Sequence, residues 1–398
     1  MFKTGHFNGT ITGNLSLTLR IGKLLIAIIK PFTGRFIGIF LFMKKYALLF
    51  LLLIVAGSHV KGQAPKYSNE FLSIGVGARA MGMSGAVVAS DQDATAAIWN
   101  PAGLSNIKGD LQLAAMHAEL FAGISKFDYA TLATHIDSSR TIGFSIIRFG
   151  TDDIPNTLDL IDATGVIDYS KISSFSIADY AFVFSYSKIT TTPGLRIGGN
   201  AKIIHRKAGD FGKAWGFGFD LGAQYTTGNW LFGATAKDVT STFNAWSYNT
   251  DLLEETFSRT GNEIPQNTTE VTLPKLILGG GYKMYFGKKI SLLAELNADF
   301  TFDGQRNVPI SSDVVSIDPH VGLEAGYSEF IFLRAGIQNI QQVKDVDGGT
   351  STIVQPNIGV GVKLGKLSVD YALTNIGSQE ILYSNVFSLR LEISKRKK

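Results

Sequence analysis

The 398-residue chain contains no cysteine. That absence excludes disulfides, zinc–thiolate and iron–sulfur centres, thiol nucleophiles and the lipid-modified cysteine of a lipoprotein. Charge is also scarce, at 18% of residues, against about a quarter in ordinary soluble domains. Beyond residue 62 the four histidines, His117, His135, His205 and His320, stand apart in sequence, and neither H-E-x-x-H nor G-x-S-x-G occurs. No catalytic or metal constellation emerges, so neither an enzyme, a cofactor nor a bound metal is expected. The stretch KDVDGG (344–349) lacks the remaining ligands of a calcium loop and reads as a solvated turn. A basic surface is missing too, although the formal net charge is +4. Residues 1–62 hold eight Lys/Arg and no acid; without them, 29 basic residues face 33 acidic ones. A nucleic-acid partner is therefore not expected.

Those first residues explain themselves. From Met43 the sequence runs MKKYALLFLLLIVAGSHVKGQAP. Lys44 and Lys45 form a positive n-region, residues 46–57 an apolar h-region, and Val60 and Gly62 the small residues of a cleavage site. The apolar run is short for a spanning helix, which needs about 20 residues. The expectation is a signal peptide over 43–62, cut after Gly62, with 1–42 a mis-called upstream extension. A long signal is the other possibility, because 24–42 is apolar but broken by Lys30, Pro31 and Arg35.

What the chain has in abundance is glycine (43), phenylalanine (27) and strict two-residue alternation. In 214–226, Trp215, Phe217, Phe219, Leu221, Ala223 and Tyr225 share one face; Gly216, Gly218, Asp220, Gly222 and Gln224 share the other. The same pattern recurs around 179–187 and 289–302. It predicts fourteen strands, at roughly 111–120, 126–136, 141–151, 176–189, 195–208, 214–227, 230–240, 275–287, 289–302, 316–328, 330–340, 353–364, 367–376 and 382–393. No segment among them shows a sustained helical period. The connections alternate between short ones, such as DSSR, TTTPG and GN, and long polar ones over 152–175, 241–274, 303–315 and 341–352. An even-stranded up-and-down membrane barrel sorts its loops this way. A soluble sandwich or propeller shares the alternation but not the sorting. In lipid every backbone polar group needs an internal partner, so strands cross only as a closed ring, apolar side outward. Trp215, Tyr225, Trp230, Tyr282 and Phe286 then fall to interfacial girdles. The expected localisation is the cell outer membrane, with barrel residues 111–394 and a basic tail at 395–398.

Residues 63–110 differ: they are rich in Gly and Ala and lack clean alternation. Gly75, Gly77 and Ala80 fit G-x-G-x-x-A, yet no parallel sheet follows to give that pattern a dinucleotide-binding role. In SDQDATAAIWNPAGLS (90–105), Ser90 or Asp91 is placed to cap a short helix, Asp91 and Asp93 to sit in its first turn, and Asn100-Pro101 to stop it.

The strings GARAMGMSGA (77–86) and Asp93, Ala96, Ala97 with WNPAGL (99–104), ahead of fourteen strands, resemble the PorV/PorQ family, which belongs with the FadL-type outer-membrane proteins. The likeness covers about 63–393. It implies an N-terminal hatch with an Asn-Pro-Ala motif inside the barrel, placing Gly77, Ala78, Arg79, Gly82, Gly85, Asp93, Asn100, Pro101, Ala102 and Gly103 in that hatch. It further implies a component of the type IX protein secretion system, binding translocon or exported cargo through the long outer loops, with membrane lipid as its surroundings. The alternative from the same superfamily is a FadL-like transporter of a hydrophobic small molecule. Arg196, Lys202, Arg334 and Arg390 with Asp220, Glu295, Asp299, Glu324 and Asp370 fall on the polar face. They either line a polar path or pair and fill the lumen together with the hatch.

Overall fold

The computed structural model describes residues 68–162, 164–344, 349–375 and 383–394. The expected start at Met43, the signal segment, the basic tail and most of KDVDGG lie outside them. Seventeen strands are present: β1 (Leu111–Leu120), β2 (Ser125–His135), β3 (Arg140–Asn156), β4 (Ser173–Ile189), β5 (Leu195–Ala208), β6 (Gly212–Thr227), β7 (Trp230–Lys237), β8 (Thr242–Tyr248), β9 (Thr269–Thr272), β10 (Lys275–Phe286), β11 (Ile290–Thr301), β12 (Ile310–Ser311), β13 (Ser316–Tyr327), β14 (Ile331–Lys344), β15 (Thr350–Leu364), β16 (Leu367–Thr374) and β17 (Ser384–Ile393). Fourteen of them form one closed antiparallel ring. Each pairs with the next in sequence, β7 passes to β10, β11 passes to β13, and β17 returns to β1. The three short strands, β8, β9 and β12, extend this ring at one end. Among the described residues no helix is long and apolar enough to cross a membrane.

Alternation sets which way the ring faces. Phe184, Ile203, Phe217, Leu221, Leu296, Leu333 and Leu389 are exposed on the outside, while Asp220, Gln224, Glu295, Asn297, Arg334 and Asp370 are buried inside. A soluble protein reverses that order; an apolar exterior belongs in lipid. The apolar core sits within the ring, where Met81, Met83, Val87 and Trp99 pack with Met116, Leu120, Phe127 and Ile147.

The fourteen expected strands match those observed to within a few residues, except where the ring grows upward. β3 and β4 reach Asn156 and Ser173, so the hairpin takes up both ends of the loop expected at 152–175 and leaves 157–172 as the connection. Likewise β14 and β15 take up most of 341–352. The region 241–274 is not plain loop but β8, an 11-residue helix Thr250–Thr260 and β9, so one helical segment does lie among the strands. Loop sorting is also incomplete: 121–124 and 209–211 are short connections on the long-loop side.

Residues 68–110 form no strand. They fold into single turns at Glu70–Leu72, Ala78–Gly82, Ala96–Trp99 and Pro101–Asn106, enclosed by the strands.

Candidate functional site

An irregular segment carries backbone N–H and C=O groups that need partners once buried. Here the inward side chains of the ring supply them. Gln112 accepts from Ala94 N (2.6 Å), Ser388 from Ala78 N (3.0 Å) and Glu295 from Ala89 N (2.7 Å). Asn200 donates to Ala97 O (2.7 Å), Gln224 to Asp91 O (2.9 Å), Asn297 to Gly85 O (3.0 Å) and Thr235 to Trp99 O (3.1 Å). The polar face of the strands thus acts as a set of caps for residues 68–110.

Glycines on the same face clear room for the segment's backbone. A Cβ on Gly198 would meet Pro101 C at 2.5 Å, and one on Gly336 would meet Met83 C at 2.5 Å. Gly82 and Gly359 face one another so closely that a Cβ on Gly82 would lie 3.0 Å from Gly359 Cα.

Asn100 is fully buried and uses its whole amide. Nδ2 donates to Val88 O (2.9 Å) and Ala223 O (3.0 Å), and Oδ1 accepts from Ala102 N (3.2 Å). It closes the turn Ala96–Trp99 and caps Pro101–Asn106, with Pro101 at the first position where its missing N–H costs nothing. The N-terminal cap differs from expectation. Neither Ser90 nor Asp91 caps the helix, which is a single turn preceded by Thr95. Instead Asp93 folds back to accept from Thr95 N (2.8 Å) and Thr95 Oγ1 (2.6 Å), a local turn that competes with an earlier helix start.

The two aspartates face different cations. Asp91 lies 3.6 Å from Arg79, and Asp93 pairs with Arg390 of β17. Burial and the neighbouring Asp93 push the Asp91 carboxyl well above its ordinary range, more than Arg79 offsets. Burial pushes Asp93 the same way, but Arg390 and the Thr95 hydrogen bonds outweigh it, so Asp93 ionises below its usual range. Among the described residues no group of carboxylates and histidines is arranged to hold a metal ion.

Arg79 begins a chain of ion pairs at the short-turn end. It meets Glu324 (2.9 Å), Glu324 meets Arg334 (2.7 Å), and Arg334 meets Asp370 (2.7 Å). Toward the long-loop end Lys202 joins Asp220 (2.7 Å) and Asp238 (2.6 Å), and Lys275 joins Asp299 (2.7 Å). Two expected lumen charges stand outside these networks: among the described residues Glu295 holds a backbone amide and Arg196 the Thr226 hydroxyl (2.7 Å).

Residues 68–110 separate two cavities that share no lining residue. One, of about 180 Å³, lies among Arg79, Asp93, Glu324, Arg334, Asp370 and Arg390. The other, of about 500 Å³, opens toward the long loops, with Leu72, Ile74, Met81 and Trp99 below and Leu120, Leu273, Lys237, Gln338 and Gln355 around it. Trp99 is fixed by its indole N–H on Val76 O (2.8 Å), and the Lys237 ammonium lies 5.8 Å from its ring.

Solved structures with this ring exist. The CymD monoaromatic hydrocarbon channel aligns with a TM-score of 0.52 at 12% identity, over 81% of this chain and 99% of that one. The chain shares its fold with such channels. The toluene transporter TbuX of Ralstonia pickettii aligns with a TM-score of 0.50 at 14% identity, over 80% of this chain and 98% of that one. The toluene transporter TodX of Pseudomonas putida gives 0.51 at 14%, with the same coverage. No family model and no curated protein matches the chain. The PorV/PorQ resemblance has no counterpart among these structures, which are transport channels.

Sequence reasoning missed Lys237, Gln338 and Gln355 as cavity residues. Lys237 ends β7 at the long-loop end, whereas Gln338 and Gln355 lie well inside β14 and β15 and give no positional signal.

Proposed function

We propose that the protein is an outer-membrane channel for a small, largely hydrophobic molecule, with residues 68–110 as its hatch. The observation that carries this reading is the 500 Å³ cavity floored by Leu72, Ile74, Met81 and Trp99, in a ring whose solved relatives are hydrocarbon and toluene channels. That volume lies within the usual range of about 300–1,000 Å³ for small-molecule sites, and the apolar floor meets a polar rim that includes Lys237, Asp238, Lys275 and Arg306. Arrival is from the long-loop side. Passage requires the hatch to shift, because it stands between the two cavities. The protein's part is binding and gating.

The type IX secretion reading implied by GARAMGMSGA and WNPAGL competes with this one. One experiment separates them. Cells lacking the protein, and cells carrying Trp99→Ala, are tested for uptake of labelled monoaromatic and longer-chain apolar compounds. Affinity purification from the native host runs in parallel. Transport predicts lost uptake on deletion and about a tenfold loss for Trp99→Ala. Unchanged uptake together with recovery of a translocon or exported cargo overturns it in favour of secretion.

A further inference from the structure

The outer surface of the ring carries a second feature, away from the lumen. On β6 the lipid-facing residues run from Trp215 through Phe217, Phe219 and Leu221 to Tyr225, all exposed. This is the length that a tilted spanning strand needs, about 9–11 residues. Trp215 therefore marks the level where hydrocarbon gives way to headgroups on the long-loop side, as interfacial tryptophans do. Its ring stacks on His205 (4.2 Å between centroids, 30°), its register partner on β5, and Tyr180 of β4 continues the row at 6.5 Å.

One step further out, Lys207 and Lys213 face each other directly across β5 and β6, both exposed. Like charges directly opposite in an antiparallel pair repel. The acid at hand is Asp210, 3.7 Å from Lys207, with side chains 56% and 86% exposed; such a pair is worth little. Arg148, on the same row as Tyr180, is already engaged with Asp128 (3.4 Å) and Asp152 (3.8 Å). Lys213 has no ion-pair partner among the described residues. Two ammonium groups at headgroup depth, above an aromatic step and an apolar face, form a seat for an anion that has a hydrocarbon tail.

We propose that this face of β5 and β6 binds the phosphate of an outer-leaflet lipid. The phosphate sits between Lys207 and Lys213, the headgroup ring lies against His205 and Trp215, and the acyl chains run down Ile203, Phe217 and Phe219. The proposal rests on the membrane orientation given above and not on what the lumen conducts. Loss of the transport reading in uptake assays therefore leaves it standing, and the reverse also holds.

The test uses the full chain purified in detergent micelles, titrated with bisphosphorylated lipid A and with its enzymatically dephosphorylated form, and read by native mass spectrometry. Lys207→Ser/Lys213→Ser is compared with Lys288→Ser/Lys289→Ser, an exposed lysine pair at the short-turn end. Both variants are first checked for the heat-modifiable mobility of a folded barrel. The expected result is about a tenfold loss of lipid A binding for the first pair and none for the second, with weak binding of the dephosphorylated lipid by all forms. Equal binding by both double variants, or equal binding of the two lipids by the unmodified protein, overturns the proposal.

Discussion

The two ends of the lumen differ in how much space they leave and in what floors it. At the short-turn end the space is small and crowded with paired charge: Arg79, Glu324, Arg334 and Asp370 in a chain, Asp93 on Arg390. At the long-loop end the cavity is nearly three times larger, about 500 against 180 Å³, with apolar residues of segment 68–110 as part of its floor below a charged rim that includes Lys237, Asp238 and the Lys275–Asp299 pair. Charge networks with several partners hold position, because each removal strands its neighbours. The contrast teaches that one segment is held by ion pairs at one end and by neutral hydrogen bonds at the other, where Asn244 and Thr272 meet Ser68 and Asn69.

The largest test of that contrast is Glu324→Ala. It leaves Arg79 and Arg334 buried without their shared carboxylate and should cost about 3–5 kcal/mol, read as a lower urea midpoint of the folded barrel. If ligand affinity in the outer cavity is unchanged at moderate urea, the halves are independent and the comparison breaks. Next is Gly336→Val, which places side-chain atoms where Met83 backbone passes. It should cost about 1–3 kcal/mol and expose residues 68–110 to protease with a rise in single-channel conductance. A protected segment would show that the inner glycines are dispensable. Asn100→Leu removes three amide hydrogen bonds while keeping the volume. About 2 kcal/mol is expected from the buried carbonyls and amide left without partners, measured by the same denaturant midpoint. Trp99→Phe keeps an aromatic floor but drops the bond to Val76 O, for about 1 kcal/mol, with ligand binding nearly kept. The smallest effect belongs to Asp137, in the turn between β2 and β3. Hydrogen bonds from Arg140 and Ser139 hold its carboxyl below the usual range. A depressed carboxylate stabilises the fold above its unfolded value near ~3.9 and loses that contribution as pH falls through the lower folded value. Asp137→Asn should lower the neutral-pH midpoint slightly, with the deficit shrinking as pH falls below about 4; a deficit that persists unchanged in acid would contradict this.

The ring was legible because a wall between lipid and a packed lumen forces every second residue to change character. Trp215 to Tyr225 and Tyr180 to Tyr186 display that alternation without a break. The strand β8 did not, because Thr242, Asn244 and Trp246 face inward against Phe243, Ala245 and Ser247, a contrast too weak to separate from loop. The helix Thr250–Thr260 lay hidden in a polar stretch for the same reason. The stop at Asn100-Pro101 was readable from backbone chemistry alone. The start of that turn was not, since Asp93 bonding to Thr95 and Asp91 capping a helix use the same residue types. Pairings across the lumen, such as Arg79 with Glu324, depend on register between distant strands and leave no mark in local sequence.

The join between β1 and β17 brings Leu111 beside Ile393, nearly the whole described length apart. Contacts of such separation carry the highest loop-closure entropy and form late. Every other pairing in the ring is available earlier, mostly between neighbours in sequence. By that argument the seam is expected to shut last, with the close backbone contacts at Gly198 and Gly336 opposing threading afterwards. On that ordering residues 68–110 are expected to be in place before the seam shuts, a form around which the wall is gathered as well as an occupant of the finished ring.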